Sequence, residues 1–421
     1  MLDIKFIKEN KDLVTLAAKK KHIEFDVEKL LEIDEKRRAI MKETEDKRAE
    51  QNTASTEIVK VDGPEKANIL EKMKILKQEL TDGEEKLKEI MKEWQVLMLQ
   101  VPNVPDVSVP DGDSDTDNKE VKKWGELPKF DFEPKSHIEI MENLGMLDLE
   151  RGVKVSGFRG YFLKNDGALL SFAIWNYAMD FFGKKNFTPM IVPSLVRKAP
   201  LIGTGMIPQS EEDLYKTQDG DYLAGTAEVP TMGYYQDEIL DKKDLPIKFL
   251  SFSPCFRREA GSHSKDVKGL IRVHEFFKVE QVVLCEASHE ESVKNHEAIT
   301  RNSEEFMESL GIPYRTVVNC GADLGLGQVK KYDIEAWVPL ENKYRETHSS
   351  SYFHDFQTRR LNIRYKDADG KTKYVHSLNN TATASPRILV SLVENFQQAD
   401  GSVKIPEVLQ PYMGGKTVIR K

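Results

Sequence analysis

The 421-residue sequence has only three cysteines, Cys255, Cys285 and Cys320. They are too few for a disulfide framework and too scattered for a four-ligand zinc site, so no zinc is expected and the thiols read as buried in a reducing compartment. Long apolar runs are also missing. The most apolar stretch, residues 168–182, is interrupted by Ser171, Asn176 and Asp180, which excludes a bilayer span, and the opening residues lack the apolar core of a secretion signal. No membrane association is expected, and the cytoplasm is the expected location. An excess of positive charge is absent as well: 62 Lys and Arg stand against 70 Asp and Glu, a formal net charge of -8. Global attraction to nucleic acid is thereby excluded, and any such contact must come from a local patch. No Gly-x-Gly-x-x-Gly follows an early strand, which disfavours a dinucleotide-binding Rossmann domain.

What the chain has is patterned charge. Residues 1–26 read as a short helical preamble with Ile4, Ile7, Leu13 and Leu16 as a partial apolar stripe. Residues 27–58 are dense in Glu, Lys and Arg, punctuated by Leu30, Ile33, Ile40 and Met41, until Asp62-Gly63-Pro64 breaks the pattern. A second charged helix follows, carrying Ile69, Met73, Leu76, Leu80, Leu87, Ile90, Met91, Trp94 and Leu97 at spacings of three and four. The spacing predicts a long antiparallel helical hairpin with limbs of about 50 Å. A dimerising coiled coil, a solvated spacer and an arm that grips a phosphate backbone all fit such a pattern. Val101-Pro102-Asn103-Val104-Pro105-Asp106 then opens a Pro- and Asp-rich stretch that no regular element tolerates. The expected organisation is a helical-arm domain over residues 1–100, a linker over 101–120 and a second domain over 121–421.

In that second domain, strands are expected at residues 157–164, 187–192, 249–259, 271–284, 314–318, 331–338 and 362–365. Helices are expected at 166–183, mostly buried, and at 288–310 and 386–397. Consecutive strands with helices packed around them predict an α+β fold, an antiparallel sheet flanked by helices. One hairpin stands out. Alternation along a strand places Arg257 and Glu259 opposite Phe252 and Phe256, and Arg272, Phe276 and Glu280 opposite Val273, Phe277 and Val279. The guanidinium forks can hold phosphate or carboxylate, the ring can stack on a base and the carboxylates can accept from an amine, although a plain charge-laced hairpin face has the same pattern. Thr226-Ala227-Glu228 and Asn379/Thr381 place polar pairs two residues apart. Ser385-Pro386-Arg387 reads as N-cap, first-turn proline and early-turn arginine, a setting that favours anions.

Taken together and in order, these stretches resemble the seryl-tRNA synthetases, a family of class II aminoacyl-tRNA synthetases. The resemblance runs from Met1-Leu2-Asp3-Ile4 through the arm to Pro411-Tyr412-Met413-Gly414-Gly415. Phe256-Arg257-Arg258-Glu259 with Arg272-Val273-His274-Glu275-Phe276 resembles class II motif 2. Residues 379–396 resemble motif 3, the helix before residues 187–193 the motif 1 dimer element, and Thr226-Ala227-Glu228 the family's serine-binding loop. The resemblance implies a homodimer that activates serine with ATP, giving seryl-adenylate and pyrophosphate. It then transfers serine to the 3′-terminal adenosine of tRNA(Ser), with tRNA(Sec) as a further acceptor. It implies that Arg257 binds the α-phosphate and the serine carboxylate, Glu259 the adenine amino group, and Phe276 the ring, while Arg272 and Arg387 hold the outer phosphates. Arg257, Arg272 and Arg387 would be the catalytic groups. Glu346 and Ser349 match the magnesium positions, with an odd spacing that requires a bulge or loop. Thr226, Glu228, Arg257, Glu280, Asn379 and Thr381 would form the serine pocket, and the loop 261–269, with Lys265 and Lys268, would meet the tRNA acceptor end. The sequence departs from the pattern at Asn380, where glycine is usual, and less consequentially at Glu275 and Gln410. A carrier-protein aminoacyl ligase and a non-catalytic RNA-binding paralogue are the competing readings. The full-length arm argues against the first, and Arg257, Arg272, Glu346 and Arg387 argue against the second.

Overall fold

The computed structural model describes residues 1–260 and 266–421. It divides into two units, one of residues 2–19 and 23–102, the other of residue 1, residues 20–22 and residues 103–421. In the first unit, α1 (Ile4–Glu9) and α2 (Lys11–Lys20) precede α3 (Val27–Glu57) and α4 (Pro64–Gln100). The Asp26 carboxylate caps α3 by accepting from the Lys29 amide, and Gly63 with Pro64 at the first position starts α4. Cross-helix partners run in opposite senses. Arg37 lies over the Trp94 ring at 4.7 Å, Lys47 pairs with Glu79 at 3.5 Å and Glu50 with Lys72 at 3.9 Å, which makes the pair an antiparallel hairpin. A Cβ on Gly83 would sit 3.1 Å from Thr44 Oγ1, so the close approach of the limbs depends on that glycine.

The second unit is built on an eight-stranded sheet. Its strands are β1 (Lys119–Trp124), β2 (Thr188–Ile191), β3 (Ile247–Phe256), β4 (Glu275–Cys285), β5 (Tyr314–Val318), β6 (Lys330–Val338), β7 (Lys343–His354) and β8 (His376–Ser385). They lie in the order β1-β5-β6-β7-β8-β4-β3-β2, and every pair is antiparallel except β2 with β3. Helices α5 (Asp166–Gly183), α6 (Glu228–Gly233), α7 (His289–Leu310), α8 (Phe356–Leu361) and α9 (Arg387–Asn395) pack around it. Leu170 and Ile174 of α5, Phe306 of α7 and Leu389 of α9 join Val279, Val283, Ile334 and Leu378 of the sheet in one buried core. The α+β architecture expected from the sequence is the one found.

Several elements differ from expectation. Residues 157–164 contribute only Phe162–Leu163 as strand, because Gly157 and Arg159 adopt positive φ (76° and 64°) after a helix at Leu149–Ser156. Helix α5 spans the expected residues but leaves Leu169 and Phe172 more than half exposed. Residues 362–365 meet a side sheet at Arg364–Lys366. Strands β7 and β8 were not expected, and they lie at the centre of the sheet. Ser385 closes β8, and the cap of α9 is Pro386.

Candidate active site

One face of the central strands floors a cleft of about 270 Å³. Arg257, Glu259, Arg272, Phe276, Glu346, Ser349 and Arg387 line it, and so do Thr226, Glu228, Glu280, Asn379 and Thr381. Every ATP-, serine- and magnesium-site residue expected from the sequence therefore lines one cleft, but not all by strand alternation. β3 ends at Phe256 and β4 begins at Glu275, so Arg257, Glu259 and Arg272 stand on the segments beyond the hairpin pairing. Glu259 has φ of 55°, and its carboxylate accepts from Arg272 Nη1. Arg257 Nε donates to the Gly225 carbonyl at 3.2 Å, and its guanidinium carbon lies 5.2 Å from the Phe276 ring centre. Arg387 Nε and Nη1 donate to the carbonyls of Ile271 (3.0 Å) and Glu346 (2.9 Å), fastening the start of α9 to β7.

The odd spacing of Glu346 and Ser349 has its cause in the register of β6 and β7. Ile334 pairs with His348 and Glu335 with Glu346, so Thr347 is an extra residue and the bulge brings Glu346 and Ser349 into the same cleft. A second register shift between Val279 and Glu280 pairs Glu280 with Thr381. Asn380 points the other way. Its Nδ2 donates to the Ile299 carbonyl (2.6 Å) and Ser303 Oγ (2.9 Å) of α7, so this departure from the family pattern leaves the cleft untouched.

The far end of the cleft is buried and acidic. Glu280, 1% exposed, accepts from Thr226 Oγ1 at 2.6 Å and the Glu228 amide at 2.9 Å through one oxygen. Its other oxygen accepts from Lys278 Nζ at 2.9 Å and Asn379 Nδ2 at 3.5 Å. Lys278 is a cleft residue that the sequence reading passed over, although it shares the alternation of Phe276 and Glu280. The wall at residues 325–328 was also passed over. The buried Lys21 ammonium donates to the carbonyls of Gly325, Leu326 and Gln328 at 3.1, 3.0 and 2.6 Å, a tie across 300 residues that no local pattern announces.

Burial first, and then the neighbouring Glu280, pushes the Glu228 carboxyl up to about 7, against the pull of Gln357 and Lys278. The folded chain then holds a proton that the unfolded chain releases near its ordinary value of 4.5. The associated stability is present below that value and is lost as pH rises through about 7. Glu228→Gln should accordingly raise Tm by a few degrees at pH 8, for about 2–3 kcal/mol, and by nothing measurable at pH 4. Calorimetry at the two pH values checks it; an equal gain at both would contradict the assignment.

Two family models match the chain: the seryl-tRNA synthetase N-terminal domain over residues 1–105 and the tRNA synthetase class II core domain (G, H, P, S and T) over residues 214–396. The serine–tRNA ligase of Deinococcus radiodurans is 46% identical over 420 residues, covering 100% of this chain and 99% of that protein. The chain belongs to the seryl-tRNA synthetase family. It is accordingly an enzyme, an aminoacyl-tRNA ligase. The serine–tRNA ligase of Thermodesulfovibrio yellowstonii is 44% identical over 98% of this chain. The structure of the Pyrococcus horikoshii seryl-tRNA synthetase complexed with ATP superposes with a TM-score of 0.91 at 39% identity, covering 100% of this chain and 99% of that one. A Giardia lamblia prolyl-tRNA synthetase, at 15% identity and TM-score 0.57, shares the fold. For this synthetase, no helix among the described residues is long and apolar enough to cross a membrane.

Proposed function

We propose that this enzyme is a serine–tRNA ligase whose two half-reactions take place in the cleft between Glu228 and Arg387. The observation that carries the reading is the continuity of a buried acidic end, at Glu228 and Glu280, with an end lined by the guanidiniums of Arg257, Arg272 and Arg387. An amino acid fits such a boundary only one way round, ammonium toward the carboxylates and carboxylate toward Arg257. Thr226, Asn379 and Thr381 complete the serine pocket and offer partners to its hydroxyl. Phe276 stacks on adenine, Glu259 receives its amino group, and Arg272 and Arg387 hold the outer phosphates.

The nucleophile comes from the substrate. A serine carboxylate oxygen attacks the α-phosphorus of ATP, the bond to pyrophosphate breaks, and Arg257, Arg272 and Arg387 offset the charge that moves onto the phosphates. A ribose hydroxyl of the terminal tRNA adenosine then attacks the acyl carbon and AMP leaves. The residues present suit magnesium. Glu346 and Ser349 offer one carboxylate and one hydroxyl, a sparse set of hard oxygens that fits a cation held largely by substrate phosphates and water; no group of three or more His, Cys, Asp or Glu among the described residues could hold a metal alone. When bound, it would neutralise phosphate charge.

The arm formed by α3 and α4 reads tRNA(Ser), with tRNA(Sec) as a further acceptor. Lys268 is exposed beside the cleft, while residues 261–265, including Lys265, lie outside the described residues, so the contact of that loop with the acceptor end stands as part of the proposal. The working form is a cytoplasmic homodimer. In support, Phe158, Phe162 and Phe172 share an exposed apolar hollow, and Ile191 on edge strand β2 is 86% exposed.

Amino-acid-dependent exchange of pyrophosphate into ATP tests the reading across serine, alanine, glycine, threonine and cysteine. Serine should support exchange with kcat/KM about 10⁴-fold above alanine, because alanine leaves the buried polar groups of the pocket unpaired. Exchange with no amino acid, or with one other than serine preferred, would overturn it.

A further inference from the structure

Gln357 lies on α8 behind the acidic end of the cleft, 1% exposed, and does not line it. Its Nε2 donates to Glu228 Oε1 at 2.6 Å and to the Thr204 carbonyl at 3.4 Å. Its Oε1 accepts from Ser377 Oγ of β8 at 2.7 Å. A backbone carbonyl can only accept, so Thr204 fixes which end of the amide faces forward, and the Ser377 hydroxyl holds the opposite end. The NH₂ group is therefore committed to Glu228, whatever the protonation state of that carboxyl.

We propose that Gln357 is a positioning residue for amino-acid activation, aiming the Glu228 carboxylate at the substrate ammonium through a donor that Ser377 and Thr204 hold in place. The inference rests on the reading that Glu228 receives that ammonium. The groups facing Glu228 explain why a donor is needed. Glu280 on β4 repels its charge, Lys278 on the same strand is committed to Glu280, and Asn379 of β8, the other amide that reaches Glu228, is shared with Glu280. Burial and Glu280 both favour the protonated carboxyl, and the Gln357 amide works against them. Without it, Glu228 holds its proton more tightly, keeps only the Asn379 amide to orient it and offers less charge to an ammonium. ATP, at the other end of the cleft, should not register the loss.

Gln357→Met keeps length and bulk and removes both polar ends. In pyrophosphate exchange at pH 7, the full-length variant should show a serine KM raised about 10-fold or more, with kcat and the ATP KM within about threefold of the parent. The pH below which the serine KM climbs should move up by about one unit. Ser377→Ala, which frees the amide to rotate, should shift both readouts the same way by a smaller factor, about two- to fivefold, and it decides the matter if Gln357→Met does not fold. An unchanged serine KM and pH profile in the folded variants would overturn the inference, even with a lowered Tm, since that is the signature of a packing role alone. Glu228→Gln separates the two levels. If it raises the serine KM while the Gln357 and Ser377 variants do not, only the inference falls; if it leaves the serine KM unchanged, the assignment of the ammonium site falls with it.

Discussion

Arg257→Ala lowers kcat/KM for serine-dependent pyrophosphate exchange by about 10³-fold or more, with little change in Tm. Its guanidinium stands at the boundary between the acidic end of the cleft and the arginine-lined end, so in the proposed reaction one fork would serve the attacking carboxylate and the phosphorus that receives it. The Nε is occupied by the Gly225 carbonyl and the plane lies against Phe276, which leaves the fork directed rather than loose. Removing one preorganised donor at a developing charge costs about 10²–10³-fold, and here the same group also orients the nucleophile. Arg257→Lys should recover little, because a point charge does not span two acceptors. The segment that carries Arg257 lies past the end of β3, away from the apolar core, so its truncation leaves the fold standing. A loss below about tenfold, with the Tm preserved, would remove Arg257 from the reaction.

Deleting residues 27–100 should abolish charging of tRNA(Ser), by about 10³-fold or more in kcat/KM, while serine-dependent exchange stays within severalfold of the parent. The two long helices bury little beyond their own seam: Leu30, Ile33, Leu76 and Leu80 are covered, whereas Val59, Leu70, Ile75 and Val96 are exposed. Besides that seam the limbs exchange exposed ion pairs and one guanidinium-ring contact, which add little stability. A protein surface that follows a phosphate backbone binds with a steep salt dependence, and the parent's KM for tRNA should rise sharply between low and physiological salt where the deletion variant has nothing left to lose. Charging that survives the deletion would give the arm some other task, such as a spacer's.

The sequence was most legible where apolar spacing alone decides an element. The arm helices, α5, α7 and β5 follow directly from runs such as Leu76, Leu80 and Leu87, or Tyr314 with Thr316 and Val318. Strands β7 and β8 escaped because polar side chains predominate on both of their faces, with Tyr352, Leu378 and Ala382 as scattered residues that reach the apolar core. One face floors the cleft with Ser349, Asn379 and Thr381, and the other meets hydrophilic side chains of α7, with Ser350 bonded to Thr300 and Asn380 to Ser303. A strand buried between two polar partners shows no alternation to read. The candidate site residues came by resemblance more than by spacing. Alternation grouped Arg272 with Phe276 correctly, yet Arg272 lies off the strand; the pairing of Gln357 with Glu228, 129 residues apart, had no sequence signal at all.

Thr347 carries a consequence for how this catalytic unit tolerates change. Because the extra residue sits between Glu346 and Ser349, the strand can lose a residue there without changing which way those two side chains point. Deleting Thr347 would leave Glu346 and Ser349 two apart and still facing the cleft in a regular strand, whereas deleting a regularly paired residue elsewhere in β7 would turn one side of the strand over. Length variation in this region is therefore confined to the bulge and to the turn at residues 339–342, both of which change length without inverting the strand. In a lineage of such enzymes, or a library made from this one, indels should accumulate at that turn, recur at Thr347 and be rare elsewhere from Lys343 onward, where the strand runs.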